Sequence, residues 1–435
     1  MGHPLSEPAA HQASQPQEKK RVNFARVLVR GVITGAADDD PSAIGTYASA
    51  GARFGTDIIW LAPVMLPMMY IVVYLSSKLG QVSGRGLFHV IRDYYPRWLL
   101  WAVLVGVMIG NVIEAAADLG GMAAALGLFI NIPAAFLVTG VAVVVFTLQC
   151  LASYKTISRI FRWLSLALLA YLGSAILAQP DPLSILRGTF IPKIHFTTEF
   201  LSIVVAMVGT SLSAYIYTWQ SNQEVEEQIA EGKTTLQERK GATKQELRTT
   251  QRDVAVGMAF ANLIMYCIMV STGATLHEKG QTSIETAAQA AEALRPIAGD
   301  AAGALFALGI IGVGFLAVPV MTTGAAYDLA QAVGWKATLN ARPREAKKFY
   351  AAIGVCTAVA VSMNFLGFNP MQALVWSGVV QGFSTPPLLL LIMFMTNNRE
   401  IMGNRVNGRF TNLLGWLTTA AIFSASAGLV ATWFL

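Results

Sequence analysis

The chain has 435 residues, of which 54% are hydrophobic and only 13% are charged. Soluble domains average roughly 45–50% apolar and ~25% charged residues, so this composition excludes an ordinary soluble protein and indicates one embedded in the lipid bilayer. The formal net charge of +6 does not indicate a nucleic-acid partner, because the basic residues lie in the connections between apolar segments.

The first 28 residues are predicted to form a cytoplasmic amino-terminal tail. They are polar and contain the basic cluster Glu18-Lys19-Lys20-Arg21, without the apolar core and cleavage site of a signal peptide. Residues 29–435 are predicted to form a single transmembrane domain.

Eleven apolar stretches follow, each long enough for a helix to cross a hydrocarbon layer of ~30 Å. Basic residues concentrate in the connections after the second, fourth, sixth, eighth and tenth stretches, which places these connections and the amino terminus in the cytoplasm. The predicted spans are 29–52, 56–77, 98–126, 132–152, 160–178, 198–221, 252–273, 302–331, 347–367, 371–395 and 411–434.

The first and sixth spans are interrupted at corresponding places. The first contains Asp38-Asp39-Asp40-Pro41, and the sixth contains the polar run from Gly209 to Tyr215. Proline opens a helix, and free backbone groups survive in a bilayer only where they line a protein cavity. Paired breaks predict two inverted repeats of five spans, 29–178 and 198–395, a mid-membrane ion or substrate site, and an extra helix at 411–434.

Carboxylates inside apolar spans are the strongest chemical signal. One at the bilayer centre costs ~2.5–3.5 kcal/mol even on the mild insertion scale, so it needs a compensating partner. Asp40, next to the break, is predicted to contact the substrate directly. Asp38 and Asp39 are expected to line the ion path or, alternatively, to solvate a helix end. Asp328, near the cytoplasmic end of the eighth span, is expected at the membrane interface.

Two further spans carry polar side chains within apolar surroundings. Glu114 and Asp118 lie four residues apart and share a helix face, where they would form an ion or proton path or bond to a neighbouring helix. Gln372, Ser377 and Gln381 in the tenth span would reach a bound cation or, alternatively, hydrogen-bond between helices.

At these residues the chain resembles the Nramp (natural resistance-associated macrophage protein) family of divalent-metal transporters. The family's Asp-Pro-Gly-Asn motif corresponds to Asp40-Pro41-Ser42-Ala43. Its Gly-Ala-Thr-Val-Met-Pro-His block aligns without gaps onto residues 209–215. The resemblance implies an all-α membrane protein with a LeuT-like fold of five plus five inverted helices, broken in helices one and six.

The resemblance also implies a ligand set. Carried over, the metal-binding positions are Asp40, Ala43, Ser213 and the carbonyl of Thr210. Ser42 within the motif and Tyr215, at the family's histidine position, are expected to support the site or line the path.

This chain has alanine and serine where the family has its asparagine and methionine, so the implied site contains only oxygen ligands. Oxygen ligands suit hard cations. The sequence looks like the Nramp-related branch that includes magnesium transporters, and Mg²⁺, with Mn²⁺ also admitted, is the expected cargo rather than a cofactor. Uptake across a bacterial inner (plasma) membrane by alternating access is expected.

Two alternatives remain open: a LeuT-fold symporter of a small organic solute, and a non-transporting Nramp-like sensor. An enzyme is not expected, because no motif resembles a nucleophile–base pair, a phosphate loop or a metal-hydrolase site. The ion itself, proton coupling and the oligomeric state are left open.

Overall fold

The computed structural model describes residues 38–151, 166–335, 343 and 345–434, and in these ranges the chain is helical with no β-strand. Nine helical stretches there are long and apolar enough to cross a membrane. They match predicted spans two to four and six to eleven. The starts of the first and fifth spans, 29–37 and 160–165, lie outside the described residues.

The described ranges contain fourteen helices of eight or more residues, numbered here in chain order. They are α1 (Pro41–Phe54), α2 (Leu61–Ser83), α3 (Leu87–Tyr94), α4 (Arg97–Leu126), α5 (Ala134–Leu151), α6 (Leu169–Leu177), α7 (Pro182–Phe190), α8 (Thr198–Ser211), α9 (Ala214–Ala230), α10 (Lys244–Thr275), α11 (Ala302–Val333), α12 (Lys347–Met363), α13 (Pro370–Asn397) and α14 (Arg409–Thr432). Short helical turns lie at Leu236–Arg239, Ala287–Ala291, Arg295–Ala298 and Arg399–Met402, and 3-10 turns at Gly55–Ile58, Leu166–Leu168, His277–Lys279, Glu292–Leu294, Gly299–Ala301, Asn364–Leu366 and Gly403–Arg405.

The break in the first span falls where the sequence places it. Asp39 and Asp40 are not helical, and α1 begins at Pro41, whose missing N–H is no loss at a first helical position. Asp40 caps this helix, since its side chain accepts a hydrogen bond from the Ala43 amide.

The sixth span is also broken as predicted. Helix α8 ends at Ser211 and α9 begins at Ala214, so Leu212 and Ser213 form the link between them. Helix α9 continues to Ala230, nine residues beyond the predicted end of the span. A short linker then leads to α10, whose start is fixed by a capping box between Thr243 and Glu246.

Close backbone approach positions the broken helices against their neighbours. A Cβ atom on Gly209 of α8 would overlap the Gly378 carbonyl oxygen of α13, and one on Gly51 of α1 would overlap Thr272 of α10. Helix α4 packs along both α11 and α13. The two breaks therefore lie at the centre of a bundle formed by α1, α4, α8, α9 and α13.

Candidate cation site

Asp40 lies at the junction of the two broken helices and is fully buried. Its Oδ1 accepts from the Ala43 amide at 2.6 Å, and its Oδ2 accepts from the Tyr215 hydroxyl at 3.0 Å. One carboxylate is thus held by the start of α1 and by the first turn of α9.

Ser213 connects the second break to α4. Its hydroxyl lies 2.8 Å from Glu114 Oε1 and 2.9 Å from each of the carbonyl oxygens of Gly209 and Thr210. The other Glu114 oxygen accepts from Gln381 Nε2 of α13 at 2.7 Å. A hydroxyl has one proton to donate, so Ser213 can bond to only one of its three acceptors at a time.

Asp118 connects the first break to α4 in a similar way. Its Oδ1 accepts from both the amide and the hydroxyl of Ser42, at 2.9 and 2.6 Å. Ser377 of α13 adds a hydroxyl contact to Ser42 at 3.0 Å. Helices α4 and α13 therefore hold both broken segments through buried polar contacts.

The electrostatics of this cluster are strongly unfavourable without a positive partner. Asp40, Glu114 and Asp118 are each fully buried and lie within electrostatic range of one another. In the described part of the chain no Lys, Arg or His forms an ion pair with any of them. Burying an unpaired carboxylate costs several kcal/mol, so the cluster must take up protons or cations.

The cluster is not a closed metal cage. Among the described residues, no group of three or more His, Cys, Asp or Glu side chains is close enough to hold a metal ion together. The chain instead offers separate oxygen atoms around the breaks. Such an arrangement suits a cation that keeps part of its water shell.

Asp38 and Asp39 are buried but do not join this network. None of their four carboxylate oxygens has a hydrogen-bond partner among the described residues. The hydroxyl of Thr210, fully buried at the second break, also lacks one.

Gln372 does not lie with the other predicted residues of the tenth span. Its side chain is exposed, whereas Ser377 and Gln381 are fully buried. Ser377 and Gln381 are four residues apart and therefore share a helix face. Gln372 precedes Ser377 by five residues, which places its side chain on a different face of the helix.

Sequence reasoning missed Asn111 and Tyr47. Asn111 Oδ1 lies 3.4 Å from Gln381 Nε2, and the Tyr47 hydroxyl contacts the Ser211 hydroxyl at 2.6 Å. The signal for Asn111 was present, since it stands three residues before Glu114 on the same face of an apolar helix. The Tyr47 contact joins α1 to the end of α8, and no sequence pattern near either residue predicts it.

The fold and the site define an all-α membrane protein with two broken helices around a buried acidic cluster. Residues 31–432 match the profile described as natural resistance-associated macrophage protein-like, and the chain belongs to this Nramp family. That membership confirms the predicted family and the prediction that the chain is not an enzyme.

Relatives and solved structures agree with this assignment. The chain is 26% identical over 401 residues to the "Divalent metal cation transporter MntH" of Klebsiella pneumoniae (strain 342), covering 90% of each chain. It shares its fold with the crystal structure of the Eremococcus coleocola manganese transporter in complex with an aromatic bis-isothiourea substituted compound, with a TM-score of 0.70, 17% identity, and coverage of 99% of this chain and 90% of that one.

A more distantly related structure has the same fold. The inward-facing conformation of Mhp1 matches with a TM-score of 0.54 at 10% identity, covering 93% of this chain and 90% of that one. The predicted LeuT-like fold is confirmed.

Proposed function

We propose that this protein carries divalent metal cations across the membrane, with Mg²⁺ as the leading cargo and Mn²⁺ also admitted. The family assignment supports this, as do the names of the Klebsiella relative and the Eremococcus structure. The metal in this proposal is the transported substrate and not a resident cofactor.

The observation that carries the proposal is the position of Asp40. It is fully buried between two broken helices, beside Glu114 and Asp118, and no basic side chain of the described residues pairs with it. A divalent cation would supply the missing positive charge. An anionic organic solute would add to the repulsion, which disfavours the symporter alternative.

The proposed ligands are the Asp40 carboxylate, the Ser213 hydroxyl and the Thr210 carbonyl. Ala43 adds no ligand atom beyond its backbone, and its small side chain leaves room for water. Ser213 lies against the Thr210 carbonyl at 2.9 Å. We therefore expect this contact to loosen when a cation binds, which frees both oxygen atoms.

The preference for a hard ion rests on the chemistry of the donors. The hydrogen-bonded network around Asp40 presents carboxylate, hydroxyl, amide and carbonyl oxygens. Mg²⁺ binds such ligands while keeping several waters, whereas transition metals gain more from sulfur and nitrogen.

Alternating access would use the two breaks as hinges. Leu212 and Ser213 separate α8 from α9, and Asp39 and Asp40 precede α1, so these non-helical residues would absorb a change in the tilt of α1, α8 and α9. Two positive charges gain about 4.6 kcal/mol per 100 mV, so an inside-negative potential can drive uptake without proton coupling. We place the protein in the bacterial inner (plasma) membrane with its amino terminus in the cytoplasm.

Flux into proteoliposomes tests this function. Uptake of Mg²⁺, Mn²⁺ and Ca²⁺ is compared for the unchanged protein, for Asp40→Asn, and for Asp300→Asn as a control at an exposed carboxylate. We expect Mg²⁺ and Mn²⁺ uptake that Asp40→Asn abolishes and Asp300→Asn leaves intact. No flux of any divalent ion would contradict the proposal and favour a solute symporter or a sensor.

A further inference from the structure

A second buried carboxylate lies away from the Asp40 cluster. Asp328 of α11 was expected at the membrane interface, but its side chain is fully buried. Apart from its contact with the Thr218 hydroxyl, neither of its oxygens has a hydrogen-bond partner among the described residues, and it joins no ion pair there. The sequence could not reveal this burial, because it results from the packing of α9 against α11.

Thr218 of α9 faces Asp328. Its hydroxyl lies 3.1 Å from the Tyr215 carbonyl oxygen and also contacts the Asp328 carboxylate, so its single proton is donated to one of these acceptors at a time. The oxygen lone pairs of this hydroxyl stay available to a cation. A Cβ atom on Gly324, one turn before Asp328, would lie 3.7 Å from this hydroxyl. The two helices therefore approach closely beside the carboxylate, with a hydroxyl and a glycine between them.

Asp328 lies on the side of the Asp40 cluster that faces the connection predicted to be cytoplasmic. Thr218 follows Tyr215, the Asp40 partner, by three residues, which is about 4.5 Å along the helix axis. Continuing in the same direction, α9 runs toward the basic connection that is predicted to be cytoplasmic. A cation moving from the first site toward that connection along α9 would therefore pass this carboxylate.

A polar strip continues beyond Asp328. Gln331 donates to Asn222 Oδ1 at 2.6 Å, and Gln331 Oε1 accepts from the His89 amide of α3 at 3.2 Å. The Asn222 amide nitrogen has no partner among the described residues. Asn222 is one turn after Thr218 on α9, and Gln331 is three residues after Asp328 on α11. The two side-chain amides therefore lie next to Thr218 and Asp328, where α9 and α11 face each other.

We propose that Asp328 forms a second cation station, which takes a partly hydrated divalent cation with the Thr218 hydroxyl. This inference rests on the proposed transport function and deepens it. In this proposal the hydrogen-bonded Asn222–Gln331 pair lies between the station and the connection predicted to be cytoplasmic.

A second station follows from the requirements of release. Conduction needs sites that bind well enough for entry and weakly enough for exit, and successive sites meet that need. Asp40 is held by two hydrogen bonds near two other carboxylates, whereas no other carboxylate of the described residues lies within electrostatic range of Asp328. A cation at Asp328 would therefore be bound less tightly and released more easily.

Equilibrium Mn²⁺ binding to the full chain tests this station separately from transport. We compare the unchanged protein with Asp328→Asn, Asp328→Glu and Asp40→Asn. Thr322→Val is the matched control, since Thr322 is on the same helix but bonds to Gln149 on another face. We expect Asp328→Asn to bind one ion fewer per chain and to retain the ion that depends on Asp40. Its Mn²⁺ flux should fall by about tenfold or more, and Asp328→Glu should restore the second ion.

Three results would overturn the inference. If Asp328→Asn binds as many Mn²⁺ ions as the unchanged protein and has the same flux, no cation binds at Asp328. That result would leave the proposed transport function unaffected. Unchanged stoichiometry with an altered pH dependence of flux would make Asp328 a proton carrier instead. No Mn²⁺ binding or flux by the unchanged protein would end the proposed function and this inference with it. If Asp328→Asn does not fold, Asp328→Glu serves as the test. A folded Asp328→Glu protein that does not bind the second ion would contradict the inference.

Discussion

The Tyr215 hydroxyl donates a hydrogen bond to Asp40 Oδ2 across 3.0 Å, joining the second half of the sixth span to the start of α1. The family resemblance implies that Tyr215 falls at the family's histidine position. The contact satisfies one oxygen of the buried carboxylate, and a cation bound to the same oxygen would compete with it.

Removing this hydroxyl tests that competition. A hydrogen bond to a charged group stabilises a protein by about 1.5–3 kcal/mol, and a cation that binds Asp40 must displace this one. We therefore expect Tyr215→Phe, which lacks the hydroxyl, to bind Mn²⁺ more tightly. Mn²⁺ affinity is measured by titration. Tyr171→Phe is the control, since Tyr171 is buried and its hydroxyl has no partner in the described ranges. Weaker binding in Tyr215→Phe would show that the hydroxyl assists the cation.

A sulfur ligand at the second break should change metal preference. Ser213→Cys replaces a hard oxygen with a soft donor at a fully buried position. We expect Cd²⁺ to bind on the order of tenfold more tightly than to the unchanged protein, without a matching gain for Mg²⁺. Competition titration measures the ratio, with Ser174→Cys as a buried control that contacts the Ala293 carbonyl instead. An equal Cd²⁺ gain in both variants would remove Ser213 from the proposed ligand set.

The close contact between α8 and α13 should tolerate no side chain. In Gly209→Ala the new Cβ would overlap the Gly378 carbonyl oxygen, which is backbone and cannot move aside. We expect a loss of about 1–3 kcal/mol in stability, seen as a lower Tm in detergent. Gly140→Ala, where the added atom meets nothing within 4 Å, should leave Tm nearly unchanged. Equal Tm values for the two variants would argue against this packing.

Acid should destabilise the protein partly through His89 in the connection helix α3. Burial, and then the nearby Arg92, Arg85 and Arg239, lower the pKa of His89 from 6.5 to about 4. Between these values the unfolded chain binds a proton that the folded chain does not, so stability falls as pH drops from 6.5 toward 4. We expect His89→Gln to remove about 2 kcal/mol of the stability that the unchanged protein loses between pH 7 and pH 5.

Thermal unfolding of both proteins at pH 7 and pH 5 measures the difference. His195→Gln, at an exposed histidine, is the matched control. If the unchanged protein and His89→Gln lose the same stability between pH 7 and pH 5, His89 does not contribute to the acid sensitivity.

Local chemistry made both breaks predictable. Pro41 after three aspartates cannot continue a membrane helix, and Gly209 to Ser213 begin a polar stretch inside an apolar one. The nine spans within the described ranges were equally visible, because length and apolar content alone identify them. These features depend on residues that are neighbours in the chain.

The contacts across helices were less predictable. Pairing Asp118 with Ser42 depends on which face of α4 meets α1, and the burial of Asp328 depends on α9 packing against α11. Gln372 was grouped with Ser377 by proximity in sequence, but the helix turns it outward. The family motif located Asp40 and Ser213 because it contains information about tertiary structure that composition and spacing lack.

We propose that a divalent cation crosses the membrane through Asp40. The most direct test of this claim is Mg²⁺ uptake into proteoliposomes clamped at zero and at inside-negative potential, for the unchanged protein and Asp40→Asn. We predict uptake that increases with inside-negative potential and is absent in Asp40→Asn. Uptake that is the same in Asp40→Asn, or no uptake by the unchanged protein at either potential, would contradict the claim.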